Sequence, residues 1–355
     1  MTNFLLAGGG TAGHVNPLLA LADKIVARSA SDQIWALGTA EGLEAELVPA
    51  RGYQLLTIAK LPFPRGLGGY AIKFPAKFQA TIKQVEKIIL DKKIDVVVGF
   101  GGYASAPAYL AAKRTKVPFV VHEANALPGW ANKLGSKFAA AVGVAFKATK
   151  LKNATFVGMP LRSEIEALAN HSDQASARVH FGLDPETVTL LVTGGSLGAK
   201  RINETIEASR RVLNAAGIQV LHIVGGRSEL PPVSEPGFVR IAYCDRMDLA
   251  ISAADFAISR AGASTVSEFA AVGLPAAYVP YPVGNGEQRF NVTEIVAAGG
   301  STMVLDSGFT PAYVASEIVP LMSNRRLLKA MSDGAKSVGV ADGSERLLSL
   351  ILGVL

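Results

Sequence analysis

Short apolar runs rich in β-branched residues alternate along the chain with longer segments of helical periodicity. This alternation is typical of parallel β-sheets covered by helices. The predicted strands of the first half are Asn3–Ala7, Gln33–Leu37, Gln54–Ile58, Asp95–Gly99, Phe119–His122, Ala140–Val144 and Thr155–Val157. Those of the second half are Thr187–Thr193, Ile218–Val224, Phe238–Ala242, Phe256–Ser259, Ala276–Val279 and Thr302–Leu305. Each half is therefore predicted to form one doubly wound sheet.

The two halves begin with similar sequences, which indicates a domain duplication. Residues 5–9 read LLAGG and residues 191–195 read LVTGG, and a helical pattern follows each of them. The hinge is predicted near Arg162, where the last strand of the first half has ended. We expect one domain over residues 1–162 and a second over 163–340. The apolar segment 341–355 is expected to be a helix that crosses back to the first domain.

Length and composition fit an ordered protein with two cores. At 355 residues the chain is longer than one core usually supports, and 49% of its residues are apolar. The single cysteine, Cys244, cannot form an internal disulfide, which favours a reducing compartment. The uncharged first 22 residues lack a basic start, and prolines interrupt the uncharged stretch Phe269–Gly286. Neither a signal peptide nor a transmembrane helix is expected, and we predict a cytosolic protein.

Charge is distributed unevenly between the halves. Residues 1–162 contain 20 Lys or Arg against 9 Asp or Glu, whereas residues 163–355 contain 15 against 20. Such a difference indicates that the first half meets an anionic partner, either nucleic acid or a phospholipid surface. A solvated imbalance without any partner is the alternative.

The stretch from Lys60 to Lys93 concentrates this positive charge, with eight basic residues against two acidic ones. Apolar side chains are interleaved with them: Leu61, Phe63, Leu67, Tyr70, Ile72, Phe74 and Phe78. Basic and aromatic residues together are typical of shallow binding to an anionic membrane, whereas no nucleic-acid motif accompanies them. The predicted membrane contacts are Lys73, Phe74, Lys77 and Phe78. A plain solvated helix face is the alternative.

The first glycine loop, residues 8–13, matches the fingerprint of dinucleotide-binding folds. A nicotinamide enzyme would need an acidic residue at the end of the second strand, but that strand ends in Gly38-Thr39. His14 follows the loop at the start of a helix, where a near-neutral imidazole can take a proton from an attacking hydroxyl. The alternative is a histidine whose ring only bonds nearby backbone.

Two further glycine loops also lie between a predicted strand and a predicted helix. Residues 194–199 lead into a helix that starts near Lys200, so amides and helix dipole favour a diphosphate there, although a simple tight turn would also fit. Residues 99–105 form the third loop. Loops at the carboxyl ends of parallel strands form the ligand crevice of such sheets, so the three loops predict a binding cleft.

Several ordered motifs carry a resemblance to a known family. The first half contains Gly101-Gly102-Tyr103, His122-Glu123-Ala124-Asn125, Pro128-Gly129 and Asn132. The second contains Arg260-Ala261-Gly262-Ala263-Ser264-Thr265-Val266-Ser267-Glu268, Gly273-Leu274-Pro275, Gln288 and Asn291. With the glycine loops, they resemble the MurG-type peptidoglycan N-acetylglucosaminyltransferase family from about residue 3 to about residue 300.

The resemblance implies an α/β fold of the GT-B class, in which two doubly wound Rossmann-like domains face each other across a cleft. It implies inverting transfer of N-acetylglucosamine from UDP-N-acetylglucosamine to the 4-hydroxyl of undecaprenyl-diphosphate-linked N-acetylmuramyl pentapeptide, a step of peptidoglycan synthesis. The implied partners are the sugar-nucleotide donor, the lipid-linked acceptor and an anionic membrane surface, and no nucleic acid is expected. The implied location is the cytoplasmic face of the cell membrane, to which the protein binds peripherally. The alternatives are a UDP-sugar transferase with a small-molecule acceptor, a related epimerase, and a non-catalytic nucleotide-sugar-binding scaffold.

The resemblance also implies roles for individual residues. His14 is the expected base, and the expected acceptor-side residues are Tyr103, Glu123 and Asn132. Ser196 and Arg162 are expected at the donor diphosphate, Glu268 at the ribose, Gln288 at the sugar, and the backbone near Cys244 at the uracil. The remaining expected substrate-binding residues are Thr11, Ala12, Gly13, Asn125, Ala263, Ser264 and Thr265. Because no metal-ligand spacing is present in the sequence, neither a metal nor another cofactor is expected.

Overall fold

The computed structural model describes residues 1–64, 66 and 69–355. Leu67, one of the interleaved apolar residues of the basic stretch, lies outside the described residues, as do Arg65 and Gly68. The chain divides into two compact units. Unit 1 comprises Met1–Arg162 together with Asp342–Leu355, and unit 2 comprises Ser163–Ala341.

Unit 1 is built on a seven-stranded sheet in which all paired strands run parallel. Its strands are β1 (Asn3–Ala7), β2 (Gln33–Gly38), β3 (Gln54–Thr57), β4 (Val96–Gly99), β5 (Phe119–Glu123), β6 (Ala141–Val144) and β7 (Ala154–Phe156). Their order across the sheet is β3-β2-β1-β4-β5-β6-β7. Its helices are α1 (Ala12–Arg28), α2 (Glu44–Ala50), α3 (Gly69–Asp91), α4 (Ser105–Thr115) and α5 (Trp130–Gly135), and a further helix closes the chain.

Both faces of this sheet are buried, which explains why its central strands read as continuous apolar runs. Successive side chains of a strand point to opposite faces. Accordingly Phe4 and Leu6 belong to a core cluster with helix α1, while Leu5 and Ala7 belong to a second cluster with helices α3 and α4. The sheet therefore lies between two helical layers.

Unit 2 repeats this architecture with a second seven-stranded sheet. Its strands are β8 (Thr189–Thr193), β9 (Gln219–Ile223), β10 (Val233–Glu235), β11 (Phe238–Ile241), β12 (Phe256–Ser259), β13 (Ala276–Tyr278) and β14 (Ser301–Met303). Their order is β10-β11-β9-β8-β12-β13-β14. Its helices are α6 (Ser163–Asn170), α7 (Gln174–His180), α8 (Lys200–Ala215), α9 (Met247–Ala253), α10 (Ala263–Val272), α11 (Glu287–Asn291), α12 (Thr293–Ala297), α13 (Pro311–Tyr313), α14 (Val319–Met322) and α15 (Arg325–Val338). A 3-10 turn at Asp306–Gly308 and a π-helical turn at Val314–Ile318 complete the unit.

The two sheets share one strand order, as a duplication requires. When β10 is set aside, both sheets place their third, second, first, fourth, fifth and sixth strands side by side. The order reverses beside β1 in unit 1 and beside β8 in unit 2, and ligands of doubly wound sheets bind at this reversal. Strand β10 was not predicted, and it pairs antiparallel with β11 at the sheet edge.

The last helix, α16 (Gly343–Leu352), belongs to unit 1 although it follows unit 2 in sequence. It packs against α1, and Leu347 and Ile351 enter the same core cluster as Phe4. Its start is fixed by a hydrogen bond of 3.2 Å from the Ser344 hydroxyl to the Leu161 carbonyl. Unit 1 is therefore completed by residues from both ends of the chain.

Candidate functional site

The first and third glycine loops of unit 1 touch each other at the reversal beside β1. A side-chain carbon added to Gly102 would lie 2.4 Å from the Gly9 carbonyl oxygen, so only glycine fits at this contact. Gly102 and Gly10 also have φ angles of +78° and +89°, which favour glycine. The close approach places the beginnings of α1 and α4 at one edge of the sheet.

His14 lies in the first turn of α1, and its ring orientation is fixed by backbone. Its Nδ1 atom lies 3.1 Å from the Gly9 carbonyl oxygen and 3.3 Å from the Thr11 hydroxyl. Because a carbonyl can only accept, Nδ1 carries the proton and Nε2 of the neutral ring carries a lone pair. A side-chain carbon on Gly101 would come within 3.1 Å of Nε2, so this nitrogen faces the third loop. A lone pair in that position suits a general base.

Glu44, which the sequence reasoning missed, holds the first glycine loop. The buried carboxylate accepts hydrogen bonds from the amide of Gly10 at 2.7 Å and from the amide and hydroxyl of Thr39, both at 2.8 Å. Burial by itself would raise the pKa of Glu44, but the backbone and hydroxyl donors outweigh it and lower that pKa. The Gly10 amide, which a dinucleotide-binding fold would offer to a phosphate, therefore donates to the charged carboxylate of Glu44 instead.

A cavity of about 250 Å³ opens beside His14 within unit 1. One wall is polar and includes five of the predicted residues, His14, Tyr103, Glu123, Asn125 and Asn132. The other wall is apolar and consists of Leu61, Phe63, Phe74, Phe78 and Trp130. The cavity can therefore accommodate a ligand that is polar at one end and apolar at the other.

Glu123 and Asn132 are buried and engaged inside the protein. One oxygen of Glu123 accepts from the amide of Asn125 at 2.9 Å, and the other accepts from the amide of Gly129 and the side-chain amide of Asn132, both at 2.9 Å. The Asn132 oxygen in turn accepts from the Tyr109 hydroxyl at 2.7 Å. This network fixes the loop from 125 to 132, so both side chains shape the polar wall.

The apolar wall is a set of touching rings. Phe74 and Phe78 stack with centroids 5.5 Å apart, and Phe63 lies 5.6 Å from Phe74 and 4.9 Å from Trp130. Lys73 and Lys77 lie on the exposed side of α3. Of the four predicted membrane contacts, the lysines thus face solvent, and the two phenylalanines line the cavity.

In unit 2 the second glycine loop lies beside β8, at the other reversal of strand order. This loop, which includes the predicted residue Ser196, lines a cavity of about 800 Å³. The predicted residues Thr265 and Gln288 line the same cavity. Gly195 and Gly198 have φ angles of +85° and +82°, which favour glycine. Helix α8 begins beyond this loop without a side-chain cap, so its first amides are available to an anion.

Gln288 is held in one orientation by backbone donors. Its side-chain oxygen accepts from the amide of Tyr281 at 2.9 Å and from the amide of Ala261 at 3.2 Å. Since two donors fix the oxygen, the NH₂ group is the part left to donate to a ligand. The neighbouring Asn291 donates to the Ala261 carbonyl at 3.2 Å, which holds the same turn from the other side.

The other predicted residues are spread over the two units. Ala263, Ser264 and Glu268 lie on α10, whose amino end contributes Thr265 to the cavity. Cys244 is buried, forms no disulfide and follows β11. Thr11 precedes α1, Ala12 and Gly13 begin it, and Arg162 is the last residue of the first segment of unit 1.

Two models of a known family match the chain. The glycosyltransferase family 28 N-terminal domain matches residues 4–144, and the glycosyltransferase family 28 C-terminal domain matches residues 189–347. The chain belongs to glycosyltransferase family 28. The first match covers the sheet of unit 1 as far as β6, and the second begins at β8 and ends within α16.

Named relatives of this family 28 chain align over nearly its whole length. The UDP-N-acetylglucosamine--N-acetylmuramyl-(pentapeptide) pyrophosphoryl-undecaprenol N-acetylglucosamine transferase of Leifsonia xyli is 55% identical and covers 99% of this chain and 98% of its own. The Streptomyces coelicolor protein of the same name is 49% identical over 98% and 96%. The crystal structure of Acinetobacter baumannii MurG has a TM-score of 0.81 and 26% identity, covering 99% of this chain and all of that one.

These similarities confirm the predicted resemblance and the predicted α/β class with two Rossmann-like domains. Within the described residues, no three His, Cys, Asp or Glu side chains are grouped so as to hold a metal ion. Every helix of residues 1–64, 66 and 69–355 is too short or too polar to cross a bilayer.

Several cavity residues of this family 28 protein were not predicted from sequence. They include Trp130 in unit 1 and Arg201, Arg227, Tyr281 and Asp306 in unit 2, whereas Arg260 was recognised as part of a motif but given no role of its own. Trp130 is half exposed directly after the Pro128-Gly129 turn, which is an unusual place for so large an apolar side chain. Arg227 follows a glycine pair after a strand, the same pattern that identified the other loops.

Proposed function

We propose that the chain catalyses the reaction for which its relatives are named, transfer of N-acetylglucosamine from UDP-N-acetylglucosamine to lipid-linked N-acetylmuramyl pentapeptide in peptidoglycan synthesis. The observation that carries the proposal is the 55% identity that extends over 99% of the chain, and thus over both units. Identity confined to one unit would leave either the donor or the acceptor site unaccounted for.

The donor is assigned to the cavity of unit 2. Ser196 and the amino ends of α8 and α10 receive the diphosphate, because uncapped helix starts attract anions. The Gln288 NH₂ group donates to a hydroxyl of the sugar, and Glu268 accepts from the ribose. Further donor contacts are assigned to Arg162, Ala263, Ser264 and Thr265, and the backbone near Cys244 is assigned to the uracil.

The acceptor is assigned to the cavity of unit 1. The muramyl 4-hydroxyl oxygen attacks the anomeric carbon from the side opposite UDP, so the new C–O bond forms as the bond to UDP breaks and the configuration inverts. His14 Nε2 takes the hydroxyl proton, and the Gly9 carbonyl orients the imidazolium that forms. Tyr103, Asn125 and the 11–13 segment contact the sugars, while Glu123 and Asn132 maintain the wall.

Departure of UDP is assigned to a metal-independent mechanism. The negative charge that develops on the diphosphate is stabilised by backbone amides, hydroxyls and cationic side chains of unit 2, whose dipoles are oriented before the reaction starts. No other cofactor is assigned.

Attachment to the cytoplasmic face of the membrane is assigned to α3. Lys73 and Lys77 lie on its exposed side with Ile72, which is 83% exposed. Each lysine near an anionic leaflet contributes about 1 kcal/mol, and a peripheral contact of this size is reversible. An enzyme with a bilayer-anchored acceptor needs such a contact.

The experiment is UDP release by the purified protein. Release is expected only when UDP-N-acetylglucosamine and the lipid-linked acceptor are both present. The rate of release should be unchanged when EDTA is added. Release with donor alone, or with soluble acceptors only, would contradict the proposed acceptor. Inhibition by EDTA that Mg²⁺ reverses would contradict the metal-independent mechanism.

A further inference from the structure

A second glycine turn is packed against the diphosphate loop of unit 2. Gly225 and Gly226 directly follow the end of β9 and Val224. A side-chain carbon on Gly225 would lie 2.1 Å from the Gly198 nitrogen, and one on Gly198 would lie 2.2 Å from the Val224 oxygen. The Gly226 amide also donates to the Ser196 carbonyl at 2.9 Å. The two turns therefore hold each other in place.

Two buried side chains, Asn203 and His222, hold this second turn in place. The side-chain NH₂ of Asn203 donates to the Val224 carbonyl at 2.9 Å, and its oxygen lies 3.1 Å from Nε2 of His222. Burial lowers the pKa of His222 to about 3, so the ring is neutral and donates through Nε2. The residue that follows the turn is consequently placed by a rigid frame rather than by a loose loop.

That residue is Arg227, which lines the same cavity as Ser196. Three other cations line the cavity, and each has a carboxylate near it. Lys200 lies 3.8 Å from Glu204, and Arg201 and Arg260 lie 4.0 and 2.6 Å from Asp306. Among the described residues, Arg227 alone of these four cations has no carboxylate partner.

The amides of the second glycine loop are not all available to bind a diphosphate, so a cation at this place can add to phosphate binding. The Gly198 amide is already used by the Gly195 carbonyl at 2.9 Å, and the Gly195 amide by the Thr193 hydroxyl at 3.3 Å. Two of the amides that a diphosphate loop would offer are thus engaged within the loop itself. A guanidinium can bind phosphate oxygens through two parallel hydrogen bonds, which a single amide cannot do.

We propose that Arg227 binds the diphosphate of the sugar nucleotide. This inference rests on the proposed function and adds to it a phosphate-binding side chain, held by the paired glycine turns. Arg227 acts on the charge of the diphosphate and makes no contact with the uridine. Removal of the Arg227 side chain should therefore weaken the binding of every ligand that carries the diphosphate and leave the binding of a ligand without it unchanged.

The test compares UDP with uridine by calorimetry. Arg227→Ala is expected to weaken UDP binding roughly 10- to 100-fold and to leave uridine binding within about twofold of the wild type. Arg227→Lys should lie between the two, because an ammonium keeps the charge but loses the paired geometry. The matched control is Arg211→Ala, an exposed arginine on α8 outside this cavity, which should bind both ligands as the wild type does.

Two results would overturn the inference while leaving the proposed function intact. One is UDP affinity of Arg227→Ala equal to that of the wild type. The other is an equal loss of affinity for UDP and for uridine, which would show that Arg227 does not act on the diphosphate. A wild-type protein that fails to bind UDP would overturn the proposed function and this inference together.

Discussion

The Nδ1 atom of His14 lies 3.1 Å from the carbonyl oxygen of Gly9, so the first glycine loop holds a ring that lines the cavity of unit 1. The contact fixes the tautomer, because the carbonyl accepts the only ring proton of a neutral imidazole. After proton uptake at Nε2, the Gly9 carbonyl continues to accept from Nδ1. The contact with the Gly9 carbonyl is therefore compatible with the role as base that we propose for His14.

Replacement of His14 tests this assignment. His14→Ala should lower kcat by about 10²- to 10⁴-fold, the usual contribution of a positioned base, while UDP affinity stays unchanged. The measurement is steady-state turnover with the lipid-linked acceptor, alongside UDP titration. His180→Ala, which removes an exposed histidine of unit 2, is the control and should keep full turnover. Full turnover by His14→Ala would refute the base assignment and leave the reaction assignment standing.

Glu44 makes the stability of unit 1 depend on acidity. Its pKa is lowered from the ordinary value of 4.5, so the folded state favours the charged form. Its stabilising contribution is fully present above that value and is lost as the pH falls through the lower folded pKa. Glu44→Gln should destabilise the protein by about 2 kcal/mol at pH 7, because charged hydrogen bonds of this kind are lost.

Thermal unfolding of the wild type and Glu44→Gln over a range of pH measures this effect. The difference in Tm should be constant from neutral pH down to about pH 5.5 and should shrink at lower pH, because the wild-type carboxylate then takes up a proton. Glu41→Gln, which changes an exposed acid three residues earlier, is the control. A Tm difference that does not vary with pH would show that the charge of Glu44 is unimportant.

The sheets were predictable because each strand carries its own signal in consecutive residues. The runs Asn3–Ala7 and Phe256–Ser259 are apolar on both faces, and the structure has strands with these same bounds. The three-residue strand β10 has no such run, since two of its residues are polar and it lies at an edge. Its pairing with β11 depends on a tertiary contact that periodicity does not record.

The site was predictable only where its residues are close together in sequence. Loops such as 194–199 can be identified from sequence by their consecutive glycines. Glu44 could not be found in this way, because its role depends on the amide of Gly10, a residue 34 positions earlier. Similarly, the spacing of Phe74 and Phe78 places them on one face of α3, but spacing does not tell whether that face meets a membrane or Trp130.

The aromatic wall should matter for the acceptor and not for the donor. Trp130→Ala and Phe74→Ala each remove a ring that lines the cavity of unit 1. Each is expected to raise KM for the lipid-linked acceptor about tenfold, the usual effect of losing one well-packed aromatic contact, with KM for UDP-N-acetylglucosamine unchanged. Phe138→Ala, an exposed ring outside the cavity, serves as the comparison. Equal KM values for acceptor in all four proteins would exclude this cavity as the acceptor site.

The exposed lysines of α3 should control membrane binding separately from catalysis. Lys73→Gln with Lys77→Gln is expected to weaken sedimentation with anionic vesicles about 10- to 30-fold, since each lysine contributes about 1 kcal/mol. Turnover with an acceptor dispersed in detergent should be preserved. The pair Lys329→Gln and Lys336→Gln on α15 removes the same charge from unit 2 and should not alter sedimentation. Unchanged sedimentation of the α3 variant would rule out this surface.

Gln288 offers a way to separate recognition of the sugar from recognition of UDP. Its oxygen holds the turn at Ala261 and Tyr281, and its NH₂ group is assigned to the sugar. Gln288→Glu keeps the accepting oxygen and loses the donor, whereas Gln288→Ala loses both. The added charge of the glutamate repels UDP, which is the more negative ligand, at least as strongly as UDP-N-acetylglucosamine, so a fall in the preference for UDP-N-acetylglucosamine reports the loss of the sugar contact.

For Gln288→Glu the preference for UDP-N-acetylglucosamine over UDP should fall about tenfold, the effect expected when one hydrogen bond to a sugar hydroxyl is lost and its partner is left unpaired. The Tm should stay near that of the wild type, because the accepting oxygen remains. Gln288→Ala should lower the Tm and weaken both ligands, since the amides of Ala261 and Tyr281 lose their acceptor. A wild-type affinity ratio in Gln288→Glu would mean that Gln288 only braces the turn and that another group recognises the sugar.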